Sequence, residues 1–202
     1  MSINVMDNKK KLVFIIGVII ALSVVIFLFF KFVSSDELPQ DDLEYFPADY
    51  SENIFLNQEY MDKVRFLKFG SEGYNYILTD DNFLEYDEKA IFFKLYFDSI
   101  IAGDVSKYIT YFDDTFFNSQ NPKPEKFTMQ KIYDIEVLYQ ETLQMEYKGK
   151  NIEVFDYLVR YKIMENNGTF RKGIPSDVWK PQHYLISFIN NELKILNIVD
   201  II

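Results

Sequence analysis

The sequence has no cysteine, a single histidine, His183, and a single tryptophan, Trp179. Without cysteine the chain cannot form disulfides, thiolate zinc sites, thiol nucleophiles or the cysteine-linked lipid anchor of bacterial lipoproteins. One histidine excludes a multi-histidine metal site and leaves a Ser-His-Asp relay a single starting point. We therefore predict no metal and no cofactor, and we expect stability to come from packing.

The charges are unevenly placed along the chain. The 202 residues include 31 acidic and 21 basic side chains, which gives a net charge of −10. Residues 1–33 contain four lysines and one aspartate, so they carry +3 and residues 34–202 carry −13. An acidic surface repels phosphate backbones and anionic lipid headgroups. We expect no nucleic-acid partner.

The N-terminal region predicts a membrane anchor. From Leu12 to Phe30 the sequence has no charged residue, and about twenty apolar residues span the roughly 30 Å hydrocarbon layer as a helix. We predict a transmembrane helix over residues 12–33. Lysines precede it and acids follow it, so the positive-inside rule places residues 1–11 in the cytoplasm and the remainder outside, in a single-pass cell-membrane protein. The alternative is a secretory signal cleaved after Ser35.

Three segments follow the predicted anchor. Residues 34–53 are rich in acids and predict an extended tether. Residues 54–86 form an extension with two strand-like runs between Val64 and Thr79, which the loop from Gly70 to Gly73 joins into a hairpin. Residues 87–202 predict the globular domain.

The globular domain begins with helical spacing. Apolar residues three and four positions apart predict a helix from Asp87, with Asp81 as the alternative cap, to Gly103. The same spacing predicts a second helix over residues 104–116. Proline is tolerated in a first helical turn, so a third short helix is predicted over residues 124–132.

Apolar residues then recur at every second position, which is the period of a strand with one wet face. The predicted strands are Tyr133–Tyr147, Phe155–Ile163, Tyr184–Phe188 and Leu193–Ile202. Turn residues at 148–150 and 190–191 separate neighbouring runs. These features predict an antiparallel meander.

This order of elements, with the junction Ile101-Ala102-Gly103-Asp104 between the first two helices, resembles the nuclear transport factor 2-like fold, a cystatin-like roll. The resemblance covers residues 87–202. It implies an α+β fold, a cone-shaped roll of two or three helices packed on a curved antiparallel sheet of about four strands, here with an N-terminal transmembrane helix and an extra N-terminal hairpin. The whole arrangement is similar to the inner-membrane assembly subunit of type IV secretion and conjugation systems, a scaffold without chemistry.

We accordingly predict a bacterial, membrane-anchored, extracytoplasmic protein-interaction module without enzymatic activity, as a scaffold subunit of a conjugation or secretion assembly. Its expected partners are the lipid bilayer through residues 12–33 and other membrane or envelope proteins, or a second copy of the chain. The alternative is a small-ligand-binding or hydro-lyase-type domain that uses the cone interior. An interior filled by Phe, Tyr and Leu favours the scaffold, whereas an open cavity with convergent polar groups favours the alternative.

Two sets of candidate site residues follow. The candidate ligand-binding residues, by analogy with enzymes of this fold, are Tyr139, Tyr157, Tyr161, Asp156 and His183. The other interpretation is that the tyrosines belong to the core and His183 is a hydrogen-bonded rim residue. Trp179 and Val178 predict a protein interface because tryptophan is enriched among interface anchors. A tryptophan that plugs the open end of the cone is the alternative.

Overall fold

The computed structural model describes residues 43–119 and 121–201. Its strands are β1 (Leu67–Ser71), β2 (Tyr74–Leu78), β3 (Ile132–Tyr147), β4 (Lys150–Ile163), β5 (Gln182–Ile189) and β6 (Glu192–Asp200). Its helices are α1 (Gln58–Met61), α2 (Glu88–Ile101) and α3 (Val105–Tyr108), with 3-10 turns at Ile54–Leu56, Phe83–Glu85 and Ile109–Tyr111.

The strands of this part of the chain form one sheet in the order β2-β1-β3-β4-β5-β6. Strands β3 to β6 are an antiparallel meander. Strand β1 pairs antiparallel with β2 and parallel with β3, so that Leu67 lies beside Ile135. The sheet is therefore mixed, and β2 and β6 are its edges.

The helix α2 begins and ends where the sequence predicted. The Asp87 carboxylate accepts hydrogen bonds from the amides of Lys89 at 3.0 Å and Ala90 at 2.9 Å, which satisfies donors that have no partner within the helix. Gly103 ends the helix at a φ of +67°, a conformation that favours glycine. A Cβ at Gly103 would lie 2.9 Å from the backbone nitrogen of Met129, so glycine is also required by close packing.

Aromatic side chains join α2 to the sheet. The rings of Phe93 and Tyr157 are 5.0 Å apart, centroid to centroid, and those of Phe97 and Tyr161 are 5.4 Å apart. We call the face of the sheet that carries Tyr157 and Tyr161 the inner face. Successive residues of a strand point to opposite faces, so Asp156, whose neighbour is Tyr157, belongs to the outer face.

The predicted fold class is wrong in its sheet. The prediction was about four antiparallel strands with an extra hairpin, whereas the structure has six strands in one mixed sheet. The hairpin is present, but it is part of the sheet because β1 pairs with β3. Parallel neighbours need a long crossover, which residues 72–131 supply here. Periodicity within a strand carries no information about such a distant partner.

The predicted helices are wrong after Tyr108. The second helix ends there, and the 3-10 turn that follows stops at Tyr111. The amide of Asp113 then donates to the carbonyl of Ile195 at 3.0 Å, so the chain leaves the helix to pair with β6. The third predicted helix, residues 124–132, is not helical.

The structure gives the single-pass membrane prediction no support. Among residues 43–119 and 121–201, every helix is too short or too polar to cross a bilayer. The segment predicted to span the membrane, residues 12–33, lies outside the described residues, as do the predicted tail and most of the predicted tether.

Candidate functional site

A cavity of about 690 Å³ opens along the edge strand β6. Residues 196–200 of β6 form one wall, and residues from the segments 115–118 and 121–124 form the other. We call this cavity the edge groove. Tyr96 and Tyr184, which are buried, also line it, and we call this part of the groove its inner end. The groove therefore brings backbone, aromatic rings and polar side chains to one place.

Within the described residues, the backbone of β6 is paired on its outer side only near Ile195. There the Ile195 carbonyl accepts the amide of Asp113 at 3.0 Å, which shows that the polar groups of Ile195 point away from β5. The segment around Asp113 then turns away from the strand, because the Asp113 carboxylate accepts both the amide of Thr115 at 2.9 Å and its hydroxyl at 2.5 Å. The edge beyond this point faces the groove.

A bulge decides which amides of β6 face outward. The strand carries one extra residue, Leu196, between Ile195 and Asn197, while β5 runs regularly opposite it. Because outward-facing residues alternate with inward-facing ones in an antiparallel pair, the outward positions continue at Ile198 and Asp200. Within the described part of the chain, no backbone group pairs with them. The amide of Ile198 is bound instead by the side-chain oxygen of Asn197 at 2.9 Å.

The inner end of the groove is lined by tyrosine hydroxyls. Those of Tyr96 and Tyr184 lie 3.3 Å apart, and both residues are buried. Burial raises the pKa of each hydroxyl well above the ordinary value for tyrosine, so both groups stay neutral. Tyr108, which also lines the groove, has its pKa raised by burial in the same way.

Arg171 supplies the positive charge near this end. Its guanidinium lies over the Tyr161 ring, 5.3 Å from the centroid. Its Nη2 donates to the carbonyl of Lys180 at 3.1 Å and lies 3.8 Å from a carboxylate oxygen of Asp200. Its Nη1 is buried and has no hydrogen-bond partner among the described residues. A buried donor without a partner costs free energy, so Arg171 is a candidate contact for an anionic oxygen.

Asp200, the last residue of β6, also lines the groove. Although burial alone would raise its pKa, hydrogen bonds from Lys180 at 3.0 Å and Gln182 at 2.7 Å outweigh that effect and lower the pKa of the carboxyl. Asp200 is therefore an anion at neutral pH, and its charge is already shared with neighbouring donors.

The space between α2 and the inner face of the sheet, in contrast, is filled. Phe93 packs between Tyr157, at 5.0 Å, and Tyr184, at 6.3 Å between ring centroids. Phe93 and Tyr184 are among the largest fully buried side chains. Close-packed rings leave no room for a ligand in this space.

The structure does not bring the predicted ligand-binding residues together. Tyr139 and Tyr157 have ring centroids 5.7 Å apart and line a second cavity of about 350 Å³ beside β1. Tyr161 lines the edge groove at the other end. All three lie on β3 or β4. The alternation of residues along a strand places them on one face of the sheet, but it does not show which cavity each of them lines.

Asp156 and His183 lie on the outer face instead of in the interior. The Nδ1 atom of His183 is 2.8 Å and 2.9 Å from the two carboxylate oxygens of Asp156. The Asp156 side chain is buried and that of His183 is partly exposed. His183 is thus a hydrogen-bonded residue at the surface of the sheet, which is the second of the two predicted interpretations.

Trp179 and Val178 also lie outside the roll. The Trp179 ring is covered by two cations from β4, with Arg160 Cζ 4.5 Å and Lys162 Nζ 4.6 Å from its centroid. Arg160 and Lys162 alternate with Tyr161 and therefore point to the outer face. Trp179 does not plug an end of the cone. Both Val178 and Trp179 remain exposed, so their role as an interface stays a prediction.

Apart from Tyr161, sequence reasoning missed the residues that form the edge groove. Arg171 and Asn197 carry no motif, and the bulge at Leu196 leaves no signal in the sequence pattern. No group of three or more His, Asp or Glu within residues 43–119 and 121–201 is placed to hold a metal ion. The site thus offers hydrogen-bonding and apolar contacts.

Comparison with known proteins adds no relative. No protein-family model, no curated protein and no solved structure matches the chain. The resemblance to the nuclear transport factor 2-like fold and to the secretion-system subunit therefore stays a prediction.

Proposed function

We propose that residues 43–201 form a protein-interaction module whose contact surface is the edge groove. The observation that supports this most directly is the contrast between the filled space between α2 and the sheet and the open groove beside β6. A module that only binds needs no interior cavity, and the aromatic packing around Phe93 gives it a rigid frame.

The composition of the groove supports a protein partner. Partly buried rings of Phe116 and Phe117 lie beside a row of backbone groups and polar side chains from β6. Apolar contacts flanked by hydrogen-bonding groups are typical of protein interfaces, in which aromatic residues are enriched. The predicted place of this module in a conjugation or secretion assembly stays a prediction.

The experiment is site-specific photocrosslinking of the full chain in cells that naturally produce it. The photoreactive residue p-benzoylphenylalanine replaces Val199, which lines the groove and is 45% exposed. The matched control replaces Ile77 on β2, the opposite edge strand, which is 43% exposed. We expect a covalent adduct with another polypeptide from position 199 and none from position 77. No adduct at 199, or equal adducts at both positions, contradicts the proposal.

A second candidate function is the binding of a small anion at the inner end of the groove. The observation that favours it is the Nη1 of Arg171, which has no hydrogen-bond partner among the described residues, together with the adjoining hydroxyls of Tyr96 and Tyr184. Thermal unfolding with millimolar acetate, benzoate or phosphate tests it. A midpoint rise that the Arg171→Met variant loses would support this function, and no rise with any of the three anions would contradict it.

A further inference from the structure

We propose that the partner contributes an extended peptide segment, which adds a strand to β6 at residues 196–200, and that the side chain of Asn197 guards this edge until the peptide binds. This inference rests on the proposed function and names the class of partner.

The outer edge of β6 has backbone groups that are free to pair with another strand. Ile198 and Asp200 present their amide and carbonyl groups to the groove, and among the described residues no backbone group binds them. An edge strand with a row of such groups is a template for another strand. Peptides that bind by strand addition use this backbone pairing for affinity.

The chain itself already pairs a short segment with this edge. Phe112 forms a parallel bridge with Ile195, and the Asp113 amide completes the hydrogen bond. The chain then departs, and residues 196–200 continue the same edge for about 17 Å at roughly 3.4 Å per residue. A peptide would extend the pairing that Phe112 begins.

The rings in the groove and the charge of the domain indicate which peptide would fit. Phe116 and Phe117 stand opposite the edge, where every second side chain of an added strand would meet them. The described residues contain 26 acidic and 17 basic side chains, a net charge of −9. The charged side chains that line the groove, Arg171 and Asp200, balance each other, so it is the long-range field of the acidic domain that favours a basic peptide, with apolar residues at alternate positions for the rings.

The role of Asn197 follows from one hydrogen bond. Its side-chain oxygen accepts the outward amide of Ile198 at 2.9 Å, at the position where a partner's carbonyl would bind. Proteins protect exposed edges against indiscriminate pairing. The Asn197 side chain is exposed and can rotate away, so the protection is reversible: a specific peptide displaces it, and a weakly binding chain does not.

The experiment uses the full-length chain and peptides selected on it from a phage library of random dodecapeptides. The best peptide is resynthesised with a single N-methyl group at each position in turn, and each version is titrated by fluorescence anisotropy. We expect losses of about tenfold or more at every second position, because methylation removes the amides that pair with β6. Selection of no peptide, or losses without a period of two, would overturn the proposal.

The variant Asn197→Ala tests whether the Asn197 side chain protects the edge. Removing the competing side chain frees the Ile198 amide, so we expect the peptide to bind about three to ten times more tightly. The matched control is Asn75→Ala on β2, also exposed, which should leave the affinity unchanged. Unchanged or weaker peptide binding to Asn197→Ala would contradict this protective role of Asn197.

The two proposals fail separately. If position 199 crosslinks to a partner protein and N-methylation shows no alternation, strand addition is wrong and the interaction module stands. If position 199 gives no adduct, the proposed function itself is wrong.

Discussion

The two faces of the sheet are made by the same strands but are held in different ways. On the inner face, the rings of Tyr157 and Tyr184 pack against those of Phe93 and Tyr96 on α2, at 5.0 Å and 5.9 Å between centroids. On the outer face, Arg160 Nε donates to Glu136 at 2.7 Å, and Lys68 Nζ lies 3.2 Å from the same carboxylate. Close packing of rings stabilises the inner face, and ion pairs stabilise the outer face.

This difference decides how each face should respond to mutation. Removing a ring from a close-packed interior leaves a cavity that neighbours fill only in part. Removing a group from the outer face leaves a gap that water fills, and exposed ion pairs contribute little. The inner face should therefore contain the large effects.

The largest effect is expected for Phe93→Ala. Phe93 is 0% exposed and contacts rings on β1, β4 and β5. We expect a loss of about 3–5 kcal/mol in the free energy of unfolding, measured by urea titration followed by circular dichroism. The control, Leu84→Ala, removes a side chain that is 72% exposed and should change stability by less than about 0.5 kcal/mol. Similar losses in the two variants would contradict the contrast between the faces.

A smaller effect is expected for Trp179→Ala on the outer face. Its ring contacts the cations of Arg160 and Lys162, and such exposed contacts contribute about 0.5–1 kcal/mol each. We expect a loss of about 1–2 kcal/mol by the same urea titration. Trp179→Phe keeps a ring in place and should recover part of that loss. A loss as large as that of Phe93→Ala would show that the outer face is also close-packed.

The smallest effect is expected for Glu136→Gln and should depend on pH. Burial alone would raise the pKa of Glu136, but Arg160 and Lys68 outweigh it and hold the pKa below its usual value. A carboxyl whose pKa is lowered on folding stabilises the fold above its unfolded pKa of about 4.3. That stability is lost as the pH falls through the folded pKa.

Unfolding titrations at pH 7 and pH 3 measure this dependence. We expect Glu136→Gln to lose less than about 1 kcal/mol at pH 7 and less still at pH 3, so that its stability falls less on acidification than that of the parent chain. Glu141→Gln, at an exposed position on the same strand, serves as the control. An equal response of both variants to pH would contradict the role of the ion pairs.

The sequence predicted most local features of this fold. Period-two spacing located the strands of the meander, and the residues Asp87 and Gly103 located the ends of α2, because these signals lie within a few residues of what they determine. The spacing of Phe112 and Phe116 predicted a helix that does not form there. The hydrogen bond from Asp113 to Ile195 ends it, and that partner lies on a distant strand.

The candidate site was much less predictable. Tyr161 was among the predicted residues, but its neighbours in the groove, Arg171 and Asp200, come from other segments. The outward direction of the Ile198 amide depends on the extra residue at Leu196. Both faces of β6 carry apolar residues, so the hydrophobic spacing does not show where such an insertion lies.

The parallel pairing of β1 with β3 has a consequence for the order of assembly. Short turns join β3 to β4 and β5 to β6, so each of these strands can pair with a neighbour as soon as a local hairpin closes. Leu67 meets Ile135 only after the long intervening loop has been brought together, and closing a loop of that length costs entropy and time. Until that happens, the sixteen-residue flank of β3 is unprotected, and the newly made chain is most prone to aggregation there.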